Sequence, residues 1–330
     1  MAVADDSGLT LPVRPISAAV AQSVTPTGPS NPKPLFRDAN SMPGGAQRPA
    51  QPSDRMVARA RPVELLSEAS LALRASLAPD GAGAAGSFDL ALFDGTAITI
   101  VWQRSEPGPG GSVSWLGEVE GIPRSQVVLT LRGDIVQGNI SWPGARYHLR
   151  YAGRAARRAI HALQEIDASR FPPEHPPGGP AIPPTPPALS SPSVAADAPA
   201  ADDGSRIDVM VLYTPAAVTA AGGTGALETL IDLAVAETNA GYFTSGISTR
   251  INLVHTALVD YVESGTDPFG NALDALTVTD DGQIDGIHAL RDTYGADLVA
   301  MLIDESSSCG LAWIFNGMPD YGFQVTHWDC

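Results

Sequence analysis

Residues 207–214 read IDVMVLYT, a nearly continuous apolar run with the length of one β-strand. A strand that is covered on both faces shows this pattern, whereas a strand with one wet face alternates apolar and polar residues. The stretch therefore predicts a central strand of a mostly parallel sheet. The segments on either side of it indicate what kind of architecture surrounds that strand.

The residues after IDVMVLYT switch between helical and strand patterns. Residues 225–246 repeat apolar side chains at helical spacing, and residues 249–258 alternate as a strand does. Residues 282–295 predict a second helix, and residues 296–304, ADLVAMLID, predict a third buried strand. This order predicts an α/β layout with a mostly parallel sheet over residues 205–330.

A proline-rich stretch precedes this region. Residues 171–199 contain 11 prolines, a density that forbids regular hydrogen-bonded structure and predicts an extended, semi-rigid segment. We therefore interpret residues 171–204 as a linker that divides the chain into two domains.

The pattern before the linker is that of a small antiparallel β domain. From Phe88 to about Ile166, short alternating runs are separated by turn residues. Asp94-Gly95 and Gly133-Asp134 suit hairpin turns. With the flanking residues, this predicts a β-rich domain over residues 61–170.

Two segments near the amino terminus have other patterns. Residues 62–77 predict a short helix from the spacing of their leucines and alanines. Residues 1–60 are rich in Pro, Ser, Gly and Ala without a hydrophobic period, which predicts a disordered, low-complexity segment.

The charge balance excludes some classes of partner. The chain carries 36 acidic and 20 basic residues, a formal net charge of -16. Nucleic acids and acidic membrane surfaces require clustered Lys and Arg, so neither is an expected partner. The sequence has no apolar run long enough to cross a bilayer. A signal peptide is not evident either, because the first residues lack an apolar block.

The only two cysteines, Cys309 and Cys330, lie 21 positions apart. A bridge that closes a loop of this size contributes roughly 3 kcal/mol in the chain-entropy model. From the cysteines alone, a disulfide in an oxidising compartment and two free thiols in the cytosol are equally compatible with the sequence.

Several local patterns suggest sites but depart from the known spacings. The Gly222–Gly225 stretch lacks the glycine spacing of a dinucleotide-binding loop. The acidic stretch at 279–285 lacks the spacing of a calcium loop, and helix capping by Asp281 is the preferred interpretation. His255, His288 and His327 have no i,i+4 partner and are interpreted singly as packing or surface residues.

Five motifs of the second region follow one another in an order that is typical of one family. In sequence order they are IDVMVLYTPAA, LIDLAVAETNAGYFTSGI, INLVHTALVDYVESG, IHALRDTYGADLVAMLID and SCGLAW. Together they resemble the first half of a reprolysin-like metzincin zinc metallopeptidase of the bacterial peptidyl-Asp type, over about residues 205–330. The β-rich region before the linker is similar to the prodomain of such enzymes.

The resemblance implies an α+β multidomain protein. An antiparallel β prodomain would precede the amino-terminal half of an α/β metzincin catalytic domain, whose mostly parallel sheet has an antiparallel edge strand. That edge strand would comprise Gly310, Leu311, Ala312 and Trp313, and it would bind a peptide or protein substrate by adding a strand. The resemblance also implies a Cys309–Cys330 disulfide, a secreted or periplasmic location, an intramolecular prodomain and a zinc cofactor.

The sequence departs from the family at the metal motif. The family holds zinc with HExxHxxGxxH, and none of the six histidines of this chain is followed by that pattern. In the family, the motif begins shortly after the position of Cys330. We therefore expect no catalytic residue and no metal ligand within the 330 residues, and an inactive chain as written. The alternative is a non-catalytic peptide-binding module that uses the edge strand 310–313.

Overall fold

The structure of the protein is a computed structural model that describes residues 32–39, 55–77, 86–155, 157–171, 204–314 and 319–330. Most of the predicted linker, residues 172–203, lies outside the described residues, as do residues 1–31 and 40–54 of the segment predicted to be disordered. Within the described ranges, no helix is both long enough and apolar enough to cross a membrane.

The first half of the chain forms one ten-stranded sheet. Its strands are β1 (Lys33–Pro34), β2 (Phe36–Asp38), β3 (Val57–Leu65), β4 (Ser87–Ala91), β5 (Ala97–Pro107), β6 (Val113–Val119), β7 (Gln126–Arg132), β8 (Ile135–Trp142), β9 (Ala145–Ala155) and β10 (Arg158–Ile166). The spatial order is β1-β4-β5-β6-β7-β8-β9-β10-β3-β2, and all neighbours except the parallel β1 and β4 are antiparallel.

The two ends of this sheet are joined by consecutive residues. Lys33 in β1 pairs with Phe88, and Phe36 in β2 pairs with Leu65 at the opposite end of the strand order. Between them, Leu35 donates its N–H to Asp89 O at 2.9 Å and accepts from Leu66 N at 3.1 Å. The sheet therefore closes on itself, and we call it the barrel.

The barrel confirms the antiparallel strands expected from Phe88 onward and corrects two expectations before them. Residues 33–38, which we expected to be disordered, pair as strands with β4 and β3. These partners lie far away in sequence, so no local pattern indicated the pairing. The predicted helix at 62–77 is shorter, since β3 continues to Leu65 and helix α1 covers Ser67–Ala75. The turn at Asp94 has the expected left-handed backbone, with φ of 55°.

The second half forms a five-stranded sheet. It contains β11 (Arg206–Tyr213), β12 (Arg250–Leu258), β13 (Leu298–Ile303), β14 (Gly310–Ala312) and β15 (Phe323–His327) in the order β12-β11-β13-β15-β14. The first four strands in this order are mutually parallel, and β14 is antiparallel to β15. The mixed α+β architecture is as expected, although β15 was not predicted.

Four helices connect these strands: α2 (Pro215–Ala221), α3 (Thr224–Thr244), α4 (Pro268–Thr277) and α5 (Gly286–Tyr294). The sequence patterns predicted α3 and α5 but not the short α2 and α4. Gly222 ends α2 in a left-handed conformation with φ of 91°, which glycine adopts most readily. Helix termination therefore accounts for this glycine, and no nucleotide-binding role is needed to explain it. Asp281 does not cap α5, contrary to expectation, because its carboxylate accepts from Gln283 N within its own turn.

The helices divide the apolar residues into separate cores. One core fills the barrel, and another lies between the five-stranded sheet and helices α4 and α5. A third core joins both halves, since it combines the opposite face of the sheet, helices α2 and α3, and Leu116 and Val128 from the outside of the barrel. Helix α3 therefore lies between the barrel and the five-stranded sheet.

Candidate functional site

The edge strand β14 is the element that sequence reasoning assigned to substrate. Gly310, Leu311 and Ala312 pair with Thr326, Val325 and Gln324 of β15, and β14 is the last strand on that side of the sheet. A Cβ at Gly310 would lie 2.9 Å from Val325 O, so glycine permits this close pairing. The other edge of β14 pairs with no strand among the described residues.

Trp313 differs from the other three predicted site residues. It follows the end of β14, and its side chain is buried, with 6% exposure. The indole Nε1 donates to Thr277 Oγ1 of α4 at 2.7 Å, and the ring packs edge-on against Tyr321. Trp313 therefore anchors the strand to the core, and its side chain is not available to a peptide.

A disulfide fixes the start of β14. Cys309 and Cys330 are bonded, with their Cα atoms 5.4 Å apart, as the family resemblance implied. His327 N also donates to Cys309 O at 2.9 Å. The beginning of β14 is thus tied to the residues that follow β15.

A polar cluster that the sequence did not reveal lies where the parallel strands end. Glu263 accepts from Thr214 Oγ1 and from Asp304 N, and Asp304 Oδ1 accepts from Trp328 Nε1 at 2.9 Å. These residues follow β11, β12 and β13, so parallel strand ends bring them together. No sequence signal indicated the cluster because its members are isolated single residues.

His327 lies next to this cluster. Its Nδ1 accepts from Asp329 N at 3.2 Å, and its Nε2 is 3.9 Å from Asp304 Oδ1. Burial lowers the pKa of His327 below its usual value, which favours the neutral ring.

The other two histidines of this half make separate ring contacts. His255 stacks on Tyr294 with the ring centres 3.8 Å apart, and His288 packs edge-on against Phe323. Within the described ranges, no three His, Cys, Asp or Glu residues are grouped so that they could hold a metal ion. The described residues therefore do not fit a zinc centre.

A cavity of about 820 Å³ lies beneath α3. Its walls come from both halves of the chain, with Val211, Ala300 and Leu302 on the sheet side and His148 and Arg150 on the barrel side. Burial lowers the pKa of His148 well below its usual value, with the Arg150 charge acting in the same direction. The cavity is thus apolar on one side and polar on the other.

Comparison with known proteins gives one family match. Residues 205–326 match the family described as Reprolysin_4, metallo-peptidase family M12B reprolysin-like. The match covers β11 to β15 almost completely.

Full-length relatives extend the similarity toward the amino terminus. The chain is 33% identical over 250 residues to the peptidyl-Asp metalloendopeptidase of Stenotrophomonas maltophilia strain K279a, and 32% identical over 253 residues to that of Xanthomonas campestris pv. campestris. Each match covers 72% of this chain and 58% of the relative, so the chain spans little more than half the length of these proteins. A contiguous match that covers 72% of this chain must include β6–β10, whether it begins at the first residue or ends at the last.

Solved structures also overlap with the chain, and one of them is a bacterial metalloproteinase. Metalloproteinase-II from Bacteroides fragilis covers 74% of this chain and 75% of its own, with 9% identity and a TM-score of 0.39. A similarity at this level supports no functional conclusion.

Proposed function

The carboxy-terminal part of the chain, residues 205–326, belongs to the reprolysin-like metallopeptidases of family M12B, and from this premise we propose that the chain is the amino-terminal portion of a zinc-dependent metalloendopeptidase. The carrying observation is that the matched residues build a parallel sheet that ends in one antiparallel strand, β14. An extended peptide binds such an edge by continuing the sheet. Gly310, Leu311 and Ala312 would supply the main-chain hydrogen bonds.

The substrate class follows from the relatives. These relatives are peptidyl-Asp metalloendopeptidases, so we propose a peptide or protein substrate with an Asp near the cleaved bond. The buried Trp313 holds β14 in place, and the disulfide holds its first residue. Both features fix the backbone that a substrate would contact, which reduces the ordering that binding requires.

We further propose that the barrel is the prodomain of this enzyme. Two observations support the assignment: the span shared with the peptidases includes β6–β10, and the barrel covers one side of α3. The Cys309–Cys330 disulfide is consistent with secretion or a periplasmic location, where thiols are oxidised.

The 330-residue chain itself is proposed to be inactive. It contains no HExxHxxGxxH, and its described histidines do not converge on a metal position. The zinc of the intact family enzyme therefore requires ligands that these residues do not provide, and no catalytic step is assigned to them.

The test uses the 330-residue chain and its gene. The purified chain is incubated with zinc chloride and assayed for bound zinc and for hydrolysis of a fluorogenic Asp-containing peptide; we expect neither. The gene is read beyond the codon for Cys330, where we expect an open frame that reaches the metal motif. Hydrolysis by the 330-residue chain would contradict its inactivity, and an immediate stop codon would contradict the peptidase assignment.

A second candidate function is a non-catalytic peptide-binding module. One side of β14 pairs with no strand in the part of the chain that the structure describes, and this side, together with the covalent anchor at Cys309, favours this candidate. Titration with an unlabelled peptide should then shift the amide resonances of residues 310–312 in ¹⁵N-labelled protein. The other edge strand, β12, is the internal control. Equal shifts at both edges, or none at β14, would argue against the module.

A further inference from the structure

The outside of the barrel carries a face that is built to hold a partner. In β7, Val127, Leu129 and Leu131 point into the barrel core, while Val128 and Arg132 point outward and are covered by α3. We propose that the outward face of β7–β9 is a protein-binding surface for α3. It holds the barrel and residues 204–330 together even after the chain between them is cut.

The first anchor of this surface is Arg132. Its Nη1 donates to Glu228 Oε2 at 2.7 Å, and its Nη2 donates to Asp232 Oδ2 at 2.5 Å. Glu228 and Asp232 are four residues apart on α3, so both carboxylates lie on the same side of the helix. The Asp232 side chain is only 1% exposed, so its charge depends on the barrel for neutralisation.

The second anchor is Arg150. Its Nε donates to Asp329 Oδ1 at 2.5 Å, and the two side chains are 5% and 7% exposed. Its Nη1 donates to Gly138 O and to Asn139 Oδ1, each at 3.0 Å, and its Nη2 contacts His148 Nδ1. The Nε–Asp329 bond thus joins the barrel to the end of the second half, while the Nη1 and Nη2 contacts hold the guanidinium in place within the barrel.

Amide side chains and apolar packing complete the contact. Asn139 Nδ2 donates to Glu237 Oε2, and Gln137 Nε2 donates to Ala226 O at 3.2 Å. An apolar cluster lies beside these bonds. It contains Leu116 and Val128 of the barrel with Leu227, Leu230 and Ile231 of α3. Apolar packing combined with Arg anchors is the composition of binding interfaces between separately folded partners.

Both partners have cores of their own. The barrel is closed and filled by residues from its own strands and α1, and the five-stranded sheet packs on α4 and α5. A cut between residues 171 and 204 therefore leaves the described residues of each of these two cores within a single fragment. This inference does not depend on the proposed peptidase function, because association rather than catalysis is measured.

The test inserts a recognition sequence for a site-specific protease between Ala188 and Leu189 of the full chain. After complete cleavage, size-exclusion chromatography and native mass spectrometry determine whether the two fragments remain together. We expect a 1:1 complex that dissociates at least about tenfold more readily in Arg132→Ala. Arg154→Ala is the matched control, since the Arg154 guanidinium pairs with Asp134 within the barrel and not with a carboxylate of α3.

A charge exchange keeps the test decisive if Arg132→Ala folds poorly. Arg132→Glu should separate the cut fragments, and Arg132→Glu combined with Glu228→Arg and Asp232→Arg should restore association. Separation of the cut wild-type fragments would overturn the proposal. Equal dissociation of Arg132→Ala and Arg154→Ala would overturn it as well.

Discussion

Arg132 pairs with two carboxylates of α3 across the contact between the two halves. Removing its guanidinium would leave the buried Asp232 carboxylate without a counter-charge, which is costly in a water-poor site. Burial already raises the pKa of Asp232 above its usual value, and Arg132 opposes that shift. The positive charge of Arg132 thus stabilises the ionised form of the buried Asp232 carboxylate.

The first prediction concerns this buried charge. Arg132→Met should lower the free energy of unfolding by about 2–3 kcal/mol, because the methionine keeps the packing but leaves Asp232 unpaired. Arg154→Met should change it little, since the Arg154–Asp134 pair is exposed to solvent. Urea unfolding followed by tryptophan fluorescence measures both values. Equal losses in the two variants would contradict the prediction.

The second prediction concerns pH and His161. This histidine is fully buried, its Nε2 accepts from Val136 N at 3.1 Å, and burial lowers its pKa to about 4. Because the unfolded chain takes up the proton first, the folded state is fully favoured above about pH 6.5 and loses stability as the pH falls toward 4. The loss attributable to His161 is roughly 3 kcal/mol.

The pH prediction is checked by urea unfolding at several pH values. His161→Gln keeps an acceptor near Val136 N but cannot take up a proton in this range, so its stability should fall less steeply with acidification. His148 and His327 also have lowered pKa values and contribute in the same direction in both proteins. Identical pH slopes for the wild type and His161→Gln would contradict the prediction.

At the scale of single elements, β14 depends on contacts outside itself. It has only three residues, and it is held by β15, by the disulfide before it and by Trp313 after it. A strand this short has no independent stability. Its position is therefore set by its neighbours.

The third prediction tests the pairing of β14. Gly310→Ala would place a methyl group 2.9 Å from Val325 O, which should push β14 away from β15 and speed hydrogen exchange at residues 310–312. Gly241→Ala is the matched control, because the same methyl group meets nothing within 4 Å inside α3. The control should stabilise the helix by about 0.5–1 kcal/mol. Unchanged exchange at β14 in Gly310→Ala would contradict the prediction.

The elements differed in how clearly their sequences revealed them. Strands β11 and β13 are long apolar runs buried in a parallel sheet, and α3 repeats its apolar residues over many turns, so local pattern was sufficient. Strand β15 alternates Gln324 and Thr326 with apolar residues over only five positions, and α4 begins with Pro268 and contains Gly270. Such short segments owe their structure to tertiary packing, which no local window contains.

The candidate site was less predictable than the fold. The edge strand and the disulfide followed from family motifs rather than from spacing. The anchors Arg132 and Arg150 had no sequence signal, because their partners lie 100 and 179 positions away. Only the folded chain reveals which of its arginines face a helix.

At the scale of the whole molecule, the barrel is closed by the residues around Leu35. This side chain has no exposure and lies in the barrel core, while its backbone connects β4 with the residue that follows β3. Closure pairs part of the outer edges of β3 and β4, which shortens the strand edges that could recruit another chain. The residues around Leu35 thus connect the two ends of the ten-stranded sheet and close it into a barrel.

The fourth prediction tests this closure. Leu35→Ala should lower the free energy of unfolding by about 3 kcal/mol through the cavity it creates, and it should increase aggregation by loosening the pairing of β1 with β4 and of β2 with β3. Leu71→Ala is the matched control, since Leu71 on α1 is 68% exposed and should change stability by less than about 0.5 kcal/mol. Thermal melting with light scattering measures both effects. A Leu35→Ala protein as stable as Leu71→Ala would refute the role of Leu35 in closing the barrel.

The order of the barrel and α3 along the chain has a consequence for biosynthesis. A ribosome releases the last barrel strand, β10, before it begins α3 at Thr224. Domains fold amino-terminal first during translation, so a finished barrel already displays Arg132 and Arg150 when α3 appears. The acidic residues Glu228 and Asp232 of α3 are therefore synthesised after Arg132, the barrel residue that pairs with both of them.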